Sequence, residues 1–187
     1  MAHIRARSRS TASRVGAQHA DWLSLVEPTG QFLTVPVLKQ AFPSGLPPVD
    51  LEVRRTTREW AAALDRDDPA EATAWIEHVL RDVLGWGPRL VTGPGVPDHL
   101  THTVAEHAAT LRPEYALLDG SGNPRVLVER YPHGTRLDAR LPGDTWAATP
   151  IERTAALFRA LGVPVGIATD PRYLVVVNAP IGAGGWS

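Results

Sequence analysis

RPEYALLDGSGNPRVLVERYP, residues 112–132, carries two β-rich runs separated by a run of turn formers. Residues 114–118 and 125–131 supply aromatic, aliphatic and β-branched side chains, and Asp119-Gly120-Ser121-Gly122-Asn123-Pro124 supplies the turn between them. The segment predicts a β-hairpin. Val126, Leu127 and Val128 follow one another with no polar alternation, which predicts a strand covered on both faces. Such a strand needs a layer above it and a layer below it, so the flanking sequence has to provide helices.

It does. Downstream, Thr149-Pro150-Ile151-Glu152 has the pattern of a capping box with proline at the first helical position. It opens a helix to Ala160 whose inner face is expected to be Ile151, Ala155, Leu157 and Phe158, and Gly162 stops it. Residues 163–169 and 173–178 read as two further strands around a turn at Asp170-Pro171, and residues 132–144 as a loop. Upstream, Asp68-Pro69 is an N-cap and first-position pair for a helix reaching Leu84, with Trp75, Ile76, Val79, Leu80 and Val83 at helical spacing and Gly85 closing it. Residues 51–64 are helical in pattern, as are the shorter stretches 19–27 and 32–42. Residues 87–98, with three prolines and three glycines, read as a loop, and residues 100–104 as a short strand. The fold expected is α/β (α+β): a mixed sheet of about four to five strands with flanking helices, preceded by a helical N-terminal region. Four regions follow: a disordered basic tail (1–17), a helical region (18–86), an α/β core (99–180) and a short truncated linker (181–187).

Composition narrows the function. A chain of 187 residues, 43% hydrophobic, can bury a substantial core. The net charge of -1 and pI near 6.7 give no global field toward nucleic acid, so any DNA contact must come from a local patch. The absence of cysteine excludes disulfides, zinc–thiolate sites and thiol catalysis. Lys39 is the single lysine in a chain rich in Arg, Pro, Gly and Ala, a bias typical of high-GC bacterial genomes. Any motif requiring lysine therefore has almost none to draw on. Arg5, Arg7, Arg9 and Arg14 are not followed by an apolar stretch, so the leader is no secretory signal; its functional reading is a flexible arm that finds phosphates. No run of about 18 apolar residues exists. No membrane partner is expected, and the expected location is cytoplasmic.

Chemistry concentrates at one end of the hairpin. Pro113-Glu114 opens the first strand and Glu129-Arg130-Tyr131 ends the second, so pairing brings two carboxylates together. Two hard oxygen donors suit a divalent metal that activates water. The arrangement resembles the PD-(D/E)xK nuclease core, and that resemblance implies a restriction-endonuclease-like fold with Glu114 and Glu129 as ligands for Mg²⁺. In that family a lysine two residues beyond the second acid completes the site. Here the position holds Tyr131, neutral at physiological pH, and Arg130 points to the opposite face of the strand. Arg125 is the other cation on that strand. The candidate catalytic positions are thus Glu114, Glu129 and Tyr131.

The resemblance extends further along the chain. TPIERTAALFRALGVPVGIATDPRYLVVVNAP, residues 149–180, is similar to the helix and terminal hairpin that follow a nuclease-like core in large restriction-modification proteins, through Arg159, Gly162-Val163-Pro164-Val165-Gly166, Thr169-Asp170 and Tyr173. The opening, from Ala20-Asp21-Trp22 through Gly30-Gln31-Phe32 to Leu38, is similar to the N-terminus of large actinobacterial class I adenine-specific DNA methyltransferases of DISARM-type and related phage defence. Together the resemblance spans about residues 18–186. It implies the region that precedes the methyltransferase proper, with DNA, other defence-system subunits or a methyltransferase domain as partners. S-adenosylmethionine would belong only to the downstream domain, which is expected to be absent: Leu46-Pro47-Pro48-Val49 lacks the polar lead and the aromatic of an amino-methyltransferase loop. Gly93-Pro94-Gly95 and Gly182-Ala183-Gly184-Gly185 lack the strand-to-helix setting of a methyl-donor loop. No nucleophile elbow and no Walker loop occur.

Remaining features have plain readings. His99, His102 and His107 lie close together, with ordinary hydrogen-bonded or solvent-facing roles as the default, and His133 is the histidine nearest the acid pair. The six tryptophans read as packing anchors. Arg112, Arg125, Arg130, Arg136 and Arg140 are the candidates for a phosphate-facing surface. The leading expectation is an accessory DNA-binding or assembly module, inactive by itself and needing no cofactor. The alternatives are a working Mg²⁺-dependent nuclease and a structural remnant of a truncated gene.

Overall fold

The computed structural model describes residues 22–27, 33–63, 68–144, 146–180 and 182. The basic tail with its four arginines, Phe32, Leu64 and most of the 181–187 linker lie outside the described residues. The chain divides into two compact units, residues 1–50 and 51–187. In the first, helix α1 (Val35–Ala41) takes Pro36 within its first turn, where no backbone donor is needed, and buries Leu38. The Trp22 ring meets Phe42 edge-on at 5.9 Å.

The second unit is built on a five-stranded mixed sheet. Its elements are α2 (Leu51–Ala63), α3 (Pro69–His78), β1 (Leu90–Thr92), β2 (His102–Val104), β3 (Ala109–Leu111), β4 (Tyr115–Leu118), β5 (Pro124–Arg130), α4 (Pro150–Ala160), β6 (Val165–Thr169) and β7 (Leu174–Asn178). The strand order is β1-β4-β5-β6-β7, while β2 and β3 form a separate two-stranded sheet. β1, β4 and β5 pair antiparallel, β5 and β6 parallel, β6 and β7 antiparallel. The fold class expected from the sequence is the one observed.

Local chemistry explains the boundaries. Asp68 Oδ1 accepts from the Ala70 N–H at 2.8 Å and Pro69 starts α3. Thr149 Oγ1 accepts from the Glu152 N–H while Glu152 Oε2 accepts from the Thr149 N–H at 2.7 Å, a complete capping box for α4. The hairpin turn is tied by Asp119 Oδ1, which accepts from the Ser121 and Asn123 N–H groups. α3 passes into a π-helical turn at Val79–Val83 before Gly85, whose φ of 68° only glycine adopts without strain.

The sheet is covered on both sides at β5, where Leu127 and Val128 face opposite layers. Leu127 belongs to a cluster with Ala116, Ala155, Leu157, Phe158, Ala168 and Val177, under α4. Val128 belongs to a second cluster with Ile76, Leu80, Leu90, Tyr115 and Ile167, under α3. A side chain at Gly166 would run into the Phe158 ring and the Leu127 carbonyl, so α4 sits hard against the parallel pair.

Three expectations need correction. Residues 87–98 are not wholly loop, because Leu90–Thr92 pairs with Tyr115–Leu117 as β1; glycine and proline flank a strand of three residues and mask it. The short strand near residues 100–104 has a partner that the sequence did not announce, β3, reached through Ala108 at a positive φ of 49°. The inner face of α4 includes Arg153 and Thr154 as well as the apolar residues, since Arg153 is neutralised by Asp144 at 2.6 Å and bonded to the Ala148 and Trp146 carbonyls. Among the described residues no helix is long and apolar enough to cross a membrane.

Candidate functional site

The acid pair lies where β4 begins and β5 ends. Glu114 is fixed through its backbone: its N–H donates to the Val128 carbonyl at 3.0 Å and its carbonyl accepts from Thr92 Oγ1 at 3.2 Å. Glu129 sits opposite Ala168 in the parallel ladder. Glu129 is half-buried, and its Oε1 is buried with no hydrogen-bond partner among the described residues. Burial first, and the Glu114 charge second, push Glu129 up to about 8. The two carboxylates that the sequence pairs therefore feel each other electrostatically.

Tyr131, at the lysine position, is committed elsewhere. Its N–H donates to the Thr169 carbonyl at 2.8 Å, and its hydroxyl lies 3.1 Å from the Pro150 carbonyl and 3.3 Å from Thr154 Oγ1. The ring packs into the cluster beneath α4, and burial pushes the phenol up to about 12. It offers neither a positive charge nor a base at neutral pH. Arg130 takes the α3 side of the strand, as the alternation requires. Its Nη1 donates to Thr73 Oγ1 at 3.3 Å and its Nη2 lies 3.7 Å from Glu114 Oε1.

Beyond the end of β5 lies a cleft of about 500 Å³, lined by Asp68 and Ala72 at the start of α3, Arg130 and Tyr131, and His133 and Pro171. His133 Nε2 accepts from Arg172 Nε at 2.9 Å. With this geometry in place, comparison gives a short answer. No family model, curated protein or solved structure matches the chain. The reading of the site consequently rests on its own residues.

The other predicted arginines do not converge. Arg112 is bound to the Val96 carbonyl at 2.6 Å and faces Asp98; Arg125 pairs with Asp119 at the opposite end of β5 from Arg130; Arg136 pairs with Asp138. Arg140 is exposed, with no partner among the described residues. His107 stacks on Trp146 at 4.9 Å, and among the described residues no group of three or more histidine or acidic side chains is placed to hold a metal. Trp60 and Trp75 flank His78, and Trp75 Nε1 donates to the Pro171 carbonyl, so these rings serve packing.

Sequence reasoning missed the α3 contribution. Thr73 bonds Arg130, and Glu77 and Arg81 lie near the Tyr115 hydroxyl, a buried group without a partner among the described residues. Thr73, Glu77 and, in the π-helical turn that follows α3, Arg81 recur at intervals of four, and that spacing was the available signal.

Proposed function

We propose that this chain is an accessory module that contacts DNA within a bacterial DNA-modification or phage-defence system, and that it does not cleave DNA by itself. The observation that carries the reading is Tyr131: the position that a PD-(D/E)xK nuclease gives to lysine is filled by a neutral phenol tied into the core under α4. Element order supports kinship with that core, since a helix, three antiparallel strands, a crossover helix and a strand parallel to the third occur in the order α3, β1, β4, β5, α4 and β6, with the β2–β3 ribbon inserted between β1 and β4. The partners under this reading are DNA and a methyltransferase domain or another system subunit, in the cytoplasm. Incubating the purified chain with plasmid DNA and Mg²⁺ or Mn²⁺ tests it. The expected outcome is retarded but intact plasmid.

One observation favours the nuclease alternative. Glu129 holds a buried oxygen with no hydrogen-bond donor beside a second carboxylate, which is how a site awaiting a cation is built. The residues fit Mg²⁺, which binds through one or two carboxylates and retains waters. Glu114 and Glu129 would hold it, and the ion would supply Lewis-acid stabilisation of a phosphoryl oxygen. Metal-dependent cleavage that disappears in Glu129→Ala would replace the accessory reading with this one.

A further inference from the structure

Arg130 is an under-satisfied guanidinium. It has five N–H donors, yet among the described residues it makes one hydrogen bond, 3.3 Å to Thr73 Oγ1. Glu114 at 3.7 Å is an ion-pair partner beyond hydrogen-bond range, and the buried Nε has no acceptor among the described residues. The Nε is sealed from solvent, but the Arg130 side chain is partly exposed and borders an open space. That space is the cleft of about 500 Å³, within the size range of small-ligand sites. It lies outside the carboxyl ends of β5 and β6, the sheet's parallel pair, the usual position for ligands in open α/β sheets. His133 on its wall accepts from Arg172 Nε, while Asp68, the acid that lines it, spends Oδ1 on capping α3.

We propose that this cleft binds a phosphate group through Arg130. A planar fork of donors matches two phosphate oxygens, and a dianionic or diester phosphate offers acceptors closer than Glu114, the acid that faces Arg130 at 3.7 Å. The site lies beyond the end of β5, where Arg130 takes the α3 side of the strand and Tyr131 borders the same cleft. The proposal deepens the DNA-contact reading by naming the surface, and rests on that reading only for whether the phosphate belongs to a DNA backbone or to a free nucleotide.

Isothermal titration of the full chain with inorganic phosphate, thymidine 5′-monophosphate and a DNA duplex tests it, alongside Arg130→Gln and Asp68→Asn, with melting curves to confirm folding. Arg130→Gln is expected to weaken phosphate and nucleotide about tenfold, the scale of a lost charge-assisted hydrogen bond. Asp68→Asn keeps the helix cap while removing the opposing charge, and is expected to tighten binding roughly threefold. If Arg130→Gln does not fold, Asp68→Asn decides: affinity unchanged from wild type overturns the proposal. Duplex binding that shares both effects identifies the DNA backbone as the source. Phosphate binding without duplex binding keeps the cleft and removes the DNA reading. Duplex binding indifferent to both substitutions, with no phosphate binding, overturns the cleft and leaves the DNA reading standing. Silence with all three probes overturns both.

Discussion

Glu129 links the site to the stability of the fold. Its ordinary value is 4.5 and its native value about 8, so between those limits the folded protein holds a proton that the unfolded chain has released. The associated stability is complete below 4.5 and is lost as the pH rises through 8. Glu129→Gln keeps the neutral shape and cannot ionise. Thermal melts should therefore show the variant equal to wild type near pH 5 and several degrees more stable near pH 9. Tyr131→Phe removes the bonds to Pro150 and Thr154 and is expected to cost about 1 kcal/mol in denaturant titration. Tyr131→Lys would have to place an ammonium in that apolar cluster, so a larger loss is expected in the same titration.

At the scale of elements, the parallel contact between β5 and β6 depends on the missing side chain at Gly166. Gly166→Ala would force the Phe158 ring or the β5 backbone to move, and is expected to destabilise by about 1–3 kcal/mol, measured by chemical denaturation. Thr149→Ala removes one half of the capping box and is expected to cost about 1 kcal/mol. These features also mark what the sequence disclosed. Caps, turns and the apolar triplet were legible, because a helix start or a hairpin turn is decided by neighbours within a few residues. β1 and β3 were not, because each is three residues long and exists only through a partner strand. Glu114 and Glu129 were legible as a pair through the hairpin that joins them. The Thr73, Glu77 and Arg81 spacing was overlooked, since only tertiary packing puts that face of α3 over the end of β5.

For the molecule at large, the candidate arginines among the described residues are distributed and not focused. Arg112, Arg125, Arg130 and Arg136 each face an acid, so a DNA phosphate has to compete with carboxylates at every one. Duplex binding is therefore expected to be weak. The slope of log affinity against log salt should be about −1 to −2, as for one or two neutralised phosphates, when measured by fluorescence anisotropy across a salt series.

The crossover from β5 to β6 has a further consequence, during synthesis. The antiparallel partner of β5, β4, precedes it in the chain, whereas its parallel partner arrives only after residues 131–164 have emerged. Until then β5 is an open edge with Leu127 uncovered by α4, the kind of surface on which a second nascent chain pairs. A chain terminated within the crossover is expected to be recovered as aggregate and not as a smaller soluble domain, as the fractionation of expressed truncations would reveal.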